Sequence, residues 1–452
     1  MNMSPQLQQF LSLDAPAMLT ATLAAIACGL LGNFLVLRRL SLMGDAISHA
    51  VLPGLVAAFL LTGSRATLPM FIGAAIVGVL TAVLVELIHR LGRMEAGAAM
   101  GVVFSILFAA GVVMLEQAAA RQVDLDPDCV LHGQLERVFW FAPGTWGELL
   151  TWHSLTQLPR ELWTVAAVAG CALTFIVVFY KELKITAFDP ALATALGFSS
   201  TTMHFAFMVL VAAAVVASFE AVGSIVVIAM LVCPAATARL LTDRLRTQIV
   251  LSAIIAALTG VVGYVSGALA PQWLGWKHSV NVAGMMATLG GVWLVLAALA
   301  APRHGIIARA LRRTRLTIDV LREDLLAMLY RAEELRPGGA VTLSQSQVRN
   351  VLGGSTALSR AVRRATRSGE IELDDRGVRL RQPGRDRARS IVRAHRLWET
   401  FLVRELGLRP DHVHRTAMEL EHVTDPAIQS DLAAHHPGDR DPHNRPIPGE
   451  TP

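Results

Sequence analysis

Apolar residues run in nine long stretches along the chain, at about 17–37, 45–62, 68–88, 97–116, 162–180, 203–218, 220–240, 248–270 and 280–301. A bilayer core about 30 Å thick needs roughly 20 mainly apolar helical residues, because backbone groups left unpaired in hydrocarbon are too costly. The pattern predicts an all-α polytopic membrane bundle of eight or nine transmembrane helices. Eight applies if the sixth and seventh stretches run together through Ser218, Phe219 and Glu220. After Pro302 the pattern changes to amphipathic helices broken by polar turns. Helices are expected over 319–335, 343–352 and 355–369, then two short strands around Asp374-Asp-Arg-Gly377, the order of a winged helix-turn-helix. The predicted organisation is a membrane domain (1–302), a basic juxtamembrane linker (303–318), a winged-helix-like domain (319–390) and a helical domain (391–452).

Composition agrees with two solvents. Charged residues make up 17% of the chain, against about 25% in a soluble domain, which excludes a purely soluble enzyme. Residues 1–302 hold 14 basic and 15 acidic residues; residues 303–452 hold 26 and 20, and every basic residue there is Arg. Positive loops stay in the cytoplasm. One set of alternate connections carries Arg38, Arg39, Arg90, Arg93, Lys181, Lys184, Arg239, Arg244, Arg246 and the Arg-rich tail. The opposite set carries Arg65, Lys277 and a loop, 117–161, with Arg121, Arg137 and Arg160. The N-terminus is then outside and the tail cytoplasmic, with Arg303, Arg309, Arg312, Arg313 and Arg315 following the lipid headgroups. The first sixteen residues lack Lys and Arg, so no cleavable signal is expected. Cys28, Cys129, Cys171 and Cys233 have no spacing of a disulfide framework or zinc ribbon. Trp140, Trp146, Trp152 and Trp163 are expected as interfacial anchors, and Gly73, Gly78, Gly97 and Gly101 as points of close helix packing.

Ionisable residues inside spans are costly and point to function. In Met43-Gly-Asp-Ala-Ile-Ser-His-Ala-Val-Leu-Pro-Gly54, Asp45 and His49 are four apart and share a helical face. Carboxylate with imidazole suits Mn, Fe and Zn, so the pair reads as half of a divalent-cation site. The alternative is that Asp45 caps its helix and His49 bonds a neighbouring helix. Glu220 either lies on a translocation path or faces water. Asp124, Asp126 and Asp128 form an acidic turn, either solvated or able to attract cations. No G-x-x-x-x-G-K-[ST] phosphate loop occurs, so any ATP-derived energy must come from a separate subunit and no enzymatic activity is expected of this chain.

In the tail, Arg360, Arg363, Arg364 and Arg367 occupy the recognition-helix position. They either contact DNA phosphates or form a solvated basic face, and membrane tethering disfavours DNA. His395 and Glu399 are one helical turn apart, as are His414 and Met418, then Met418 and His422, with Glu421 adjacent. Such His and Glu clusters are ligand constellations for Mn, Fe or Zn; scattered surface histidines are the alternative.

Three motifs carry a family resemblance. Leu37 to Gly54 and Val222-Gly-Ser-Ile-Val-Val-Ile-Ala-Met-Leu-Val-Cys-Pro-Ala-Ala-Thr-Ala238 resemble the ABC-transporter permeases that import manganese, zinc and iron, and Gln122-Val-Asp-Leu-Asp-Pro-Asp-Cys-Val-Leu-His-Gly133 resembles the manganese/iron branch of that family. The resemblance covers about residues 15–302. It implies that Asp45 and His49 line the metal path at the centre of a permease dimer. It also implies an ATP-binding subunit, an external metal-binding protein, a second permease subunit and a bacterial inner-membrane location. Phe188-Asp-Pro-Ala-Leu-Ala-Thr-Ala-Leu-Gly197 resembles the segment that docks on the ATPase, which brings in Phe188, Asp189, Pro190 and Gly197; an ordinary amphipathic connector is the alternative.

The stretch around His395 to Val423, with the closing Asp441-Pro-His-Asn-Arg-Pro-Ile-Pro-Gly449, resembles the metal-binding and dimerisation region of the diphtheria-toxin-repressor family. The resemblance implies an ancillary metal site at His395, Glu399 and His414. It implies a primary site at Glu421, His422, Met418 and, aligned through Leu329-Tyr330, Asp324. Met418 departs from the Cys or carboxylate usual there, and a neutral thioether is a softer, weaker ligand for Mn. The expectation is an importer permease with divalent metal as cargo and tail ligand, no tightly bound cofactor, and a metal-sensing tail. A membrane-tethered metal-dependent transcriptional regulator is the alternative.

Overall fold

The computed structural model describes residues 4–63, 67–119, 135, 138–141, 151–273, 275, 280–336, 341–435 and 438–449. The chain divides into two compact units, Met1–Ala308 and Arg309–Pro452.

In the first unit, nine helices among the described residues are long and apolar enough to cross a membrane: Pro5–Leu37, Met43–Thr62, Leu68–His89, Ala96–Gln117, Arg160–Val178, Ser200–Val222, Ser224–Leu241, Leu245–Leu269 and Val282–Ala300. Gly223 separates the sixth and seventh, its φ of +81° turning the chain where a side chain would be strained. The first span is central and packs on the fifth, sixth, seventh and eighth. Close approach depends on small residues: a Cβ at Gly32 would strike the Leu231 carbonyl, and Gly54 and Gly73 meet backbone to backbone. Between the first and eighth spans, Asn33 donates to Ser252 Oγ at 2.6 Å and accepts from Gln248 Nε2 at 3.1 Å, which satisfies polar groups buried in the core.

Two expectations are corrected here. Gly97 and Gly101 face open space and support no packing within this chain, since the fourth span is among the least covered. Trp140 is not an interfacial anchor, because its ring is buried and its Nε1 donates to the Ser154 carbonyl at 3.1 Å. Trp152 and Trp163 are exposed, whereas Trp146, Cys129 and the acids Asp124, Asp126 and Asp128 lie outside the described residues. Cys28, Cys171 and Cys233 are free thiols.

The second unit starts within helix Ile306–Glu334, whose first turns take up residues 306–318 of the basic stretch. Helices Gln345–Leu352 and Thr356–Arg367 follow, each started by a serine. Ser344 makes a reciprocal capping box with Gln347, and Ser355 accepts from the Leu358 N–H at 3.1 Å. Strands β1 (Ile371–Asp374) and β2 (Gly377–Leu380) pair antiparallel in register Ile371 to Leu380, forming the wing. Leu325, Leu329, Val348, Leu358, Ile371 and Val378 make the core of this winged helix. Helices Gln382–Arg404, Pro410–Leu420 and Pro426–His435 complete the unit.

Candidate metal sites

Within the second span, helix Met43–Ala50 carries Asp45 in its first turn and His49 in its last. His49 Nε2 lies 3.3 Å from Asp45 Oδ1, and both side chains are part-exposed. Asp45 does not cap the helix, since the N-cap position is Leu42 and no side chain bonds there. Among the described residues the imidazole bonds no neighbouring helix; it rests against Phe104 and Phe108 of the fourth span, at ring distances of 5.3 and 6.1 Å. Aromatic walls on one side and a carboxylate on the other fix the ring with donor atoms of both kinds on one face. Glu220 is exposed in the last turns of the sixth span.

Another polar cluster lies inside the bundle. Glu86 Oε2 of the third span is 3.3 Å from His204 Nε2 of the sixth, and Arg38 lies 3.3 Å from His204 Nδ1 while donating to Thr186 Oγ1 at 3.0 Å. These groups line a cavity of about 330 Å³ whose wall includes Met43 and Pro190. Helical spacing cannot reveal a pair made by two separate helices. The available signal was an acid and a histidine within apolar stretches, the same signal that singles out Asp45.

Beside this cavity, the short helix Pro190–Ala195 is capped by Asp189, whose Oδ1 accepts from the Leu192 N–H at 2.9 Å. Pro190 fixes the first turn, and Gly197 ends the segment at φ +87°. Phe188, Leu192, Leu196 and Phe198 are all exposed, leaving a short apolar face on a polar end of the bundle.

The tail brings together two ligand clusters. His395 Nε2, Glu399 Oε1 and His414 Nδ1 stand 2.9, 3.0 and 3.2 Å from one another. Adjacent ligands of an octahedral ion with bonds of about 2.1 Å are separated by about 3.0 Å, so this triangle fits one face of such an ion. Burial would raise the Glu399 carboxyl, but hydrogen bonds from His395 and His414 hold it down at about 2. His395 is buried, which works against its charge, yet Glu399 and Glu421 raise its pKa above the ordinary value.

The second cluster is Asp324, Glu421 and His422. His422 Nε2 lies 3.3 Å from Asp324 Oδ1 and 4.0 Å from Glu421 Oε1. Its other nitrogen, Nδ1, donates to Glu323 Oε2 at 2.8 Å, and Glu323 also accepts from Arg387 at 2.8 Å. Burial opposes protonation of His422, but Asp324 and Glu323 push its pKa up to about 10. Met418 is 43% exposed. Glu323 is absent from the sequence expectations because its neighbour Asp324 is the residue the motif alignment selects. The clusters are linked, since Glu421 Oε2 lies 2.5 Å from His395 Nδ1.

On helix Thr356–Arg367 the four arginines are exposed, and Arg364 is paired with Asp319 Oδ1 at 2.6 Å.

Comparison with known proteins gives two family matches. The model of the ABC 3 transport family matches residues 11–138 and 149–272. The model described as iron dependent repressor, metal binding and dimerisation domain, matches residues 381–449. The chain is 42% identical over 302 residues to the manganese transport system membrane protein MntD of Bacillus subtilis, covering 67% of this chain and 97% of that protein. It is 36% identical over 380 residues to the zinc transport system membrane protein TroD of Treponema pallidum, covering 80% and 96%. That second match exceeds the length of the first unit and so reaches into the tail. Among solved structures, PsaBC from Streptococcus pneumoniae in complex with Fab aligns with a TM-score of 0.51 at 30% identity, covering 64% of this chain and 91% of that one.

Proposed function

This chain belongs to the ABC 3 transport family and is a multi-pass membrane protein, and from that premise we propose that it is the permease subunit of an ATP-driven importer of divalent metal ions. Manganese is the foremost cargo, with iron or zinc as further substrates. The observation that carries the reading is the Asp45–His49 pair, a carboxylate and an imidazole 3.3 Å apart in a membrane helix. Lipid disfavours such groups unless they serve a path or a site.

In this reading the N-terminus faces outside and the tail faces the cytoplasm, following the arginine-rich connections. An external metal-binding protein delivers the ion. It passes Asp45 and His49 at the interface with a second permease subunit, and a separate ATP-binding subunit drives the alternation. Phe188, Leu192 and Leu196, presented by the Asp189-capped helix, supply the apolar contact for that subunit. The permease makes and breaks no covalent bond; it supplies ligands that replace part of the ion's hydration shell.

The tail takes cytosolic metal at His395, Glu399 and His414, with Asp324, Glu421 and His422 as a second set, and lowers uptake when the cell is replete. A second reading, contact with DNA, is favoured by one observation: Arg360, Arg363 and Arg367 are exposed in the recognition-helix position. The test is uptake of Mn, Fe and Zn by vesicles containing the chain and its ATPase. Uptake is expected to vanish in Asp45→Ala with His49→Ala. In a chain ending after residue 302 it should persist and no longer be damped by internal metal. Assembled complexes that move no metal in any form overturn the transport reading, and damping that persists without the tail overturns its sensing role.

A further inference from the structure

Arg38 stands where the first span ends. Its backbone N–H closes that span on the Phe34 carbonyl at 3.0 Å. Arg39, at φ +59°, then turns the chain so that Leu40 N bonds back to the Leu35 carbonyl at 2.8 Å. Met43 N donates to the Leu40 carbonyl at 3.0 Å and opens the helix that carries Asp45 and His49. A short hydrogen-bonded turn therefore joins Arg38 to the metal pair, and bonded turns and packed helices pass a displacement on instead of absorbing it.

The Arg38 side chain points the other way, into the cavity of about 330 Å³ that Glu86 and His204 also line. Its Nη2 donates to Thr186 Oγ1 at 3.0 Å, while its Nη1 donates to His204 Nδ1 at 3.3 Å. The guanidinium carbon lies 5.1 Å from the centre of the Phe207 ring, so the sixth span holds it by an acceptor and by an aromatic face. Thr186 is buried, and its hydroxyl donates to the Glu182 carbonyl at 2.8 Å, which leaves a lone pair for Arg38. Thr186 belongs to helix Tyr180–Phe188, whose last turn bonds the N–H of Asp189, the residue that caps the exposed Pro190–Ala195 segment. That helix and the docking segment are one bonded run.

The docking run, the sixth span and the turn leading to Asp45 thus meet on one guanidinium. An arginine at the end of a span ordinarily extends its charge to water. Turning it inward onto two separate elements uses what distinguishes the group, a planar fork with donor nitrogens in fixed directions.

We propose that Arg38 is a positioning residue that couples the docking segment to the metal helix. Displacement of helix Tyr180–Phe188 by the ATP-binding subunit is carried through the Thr186–Arg38 bond and the turn at 38–42 to Asp45 and His49. The inference rests on the reading of this chain as the permease of an ATP-driven metal importer.

The experiment uses the full chain assembled with its ATPase in vesicles supplied with manganese, and counts ions moved and ATP hydrolysed in the same preparation. Thr186→Val keeps the shape of the side chain and removes the acceptor. ATP hydrolysis is expected to continue in it while ions moved per ATP fall by about tenfold, the worth of one hydrogen bond to a charged group. Arg38→Gln should uncouple at least as strongly, and Thr186→Ser, which keeps the hydroxyl, should restore the wild-type ratio. A purely structural role lowers both rates together and leaves their ratio alone. An unchanged ratio in Thr186→Val or Arg38→Gln, whatever the absolute rates, therefore overturns the coupling role and leaves the transport reading standing. Unsubstituted complexes that hydrolyse ATP and move no manganese overturn the transport reading itself.

Discussion

His422 is held between two acids, with Nδ1 donating to Glu323 Oε2 at 2.8 Å and Nε2 facing Asp324 Oδ1 at 3.3 Å. With its Nδ1 proton committed to Glu323, the neutral ring presents the Nε2 lone pair to an ion. Partners of this kind fix the tautomer and raise ligand basicity, and their loss typically costs about 10- to 100-fold in metal affinity. Glu323→Ala is therefore expected to weaken metal binding at Asp324, Glu421 and His422 by about that factor. Arg387→Ala, which removes only the other partner of Glu323, should cost less. Titration with manganese checks this, and wild-type affinity in Glu323→Ala would remove Glu323 from the site.

The metal-free tail should respond to pH in two windows. The raised pKa of His422, about 10 against an ordinary 6.5, gives stability that is complete below about 6.5 and is lost as pH rises towards about 10. The lowered pKa of Glu399, about 2 against 4.5, gives stability that is present above about 4.5 and is lost as pH falls towards about 2. Metal reverses the first trend, because the ion must displace the proton on Nε2 and binds better as pH rises. Thermal unfolding of the full chain with and without manganese should show a metal-induced shift in Tm that grows between about pH 6 and 8. A shift that shrinks over that range contradicts the assignment.

How much of this was legible beforehand depends on the range of each interaction. The nine spans, the Asp45–His49 pair and the Asp189–Pro190 helix start are set within one or two helical turns, so periodicity and capping chemistry reveal them. The tail triangle needed His414 to come from another helix, and only the resemblance of the motif supplied that. Glu86 with His204, Glu323 with His422, and Arg38 with Thr186 are contacts between distant elements that spacing cannot encode. Trp140 misled for the same reason: an aromatic residue near a loop looks interfacial until a long-range partner, Ser154, claims its N–H.

The Glu86–His204 pair is also a stability prediction. Both side chains are 15% exposed, and Arg38 lies against the far side of the imidazole. Arg38 can only donate to His204 Nδ1, so the ring accepts there and donates Nε2–H to Glu86; losing a hydrogen bond to a charged group of this kind costs about 1.5–3 kcal/mol. Glu86→Ala and His204→Ala are each expected to lower the Tm of the detergent-solubilised chain. The double variant should lose less than the two single losses combined. Strict additivity in that cycle would show that the two groups do not interact.

Glu421 joins the two clusters of the tail, because each of its oxygens faces a different one. Oε2 lies 2.5 Å from His395 Nδ1 and Oε1 lies 4.0 Å from His422 Nε2. Replacing it removes a ligand from one cluster and, from the other, the partner that orients His395 with Nε2 towards Glu399 and His414. Glu421→Ala is therefore expected to weaken metal binding at both clusters, by about tenfold or more at the His395 triangle, which it does not itself ligate. Met418→Ala removes a side chain that is 43% exposed and should leave the triangle unchanged. Manganese titrations of the two variants decide the matter, since a defect confined to the Asp324 cluster in Glu421→Ala would mean that His395 needs no help from Glu421 to bind.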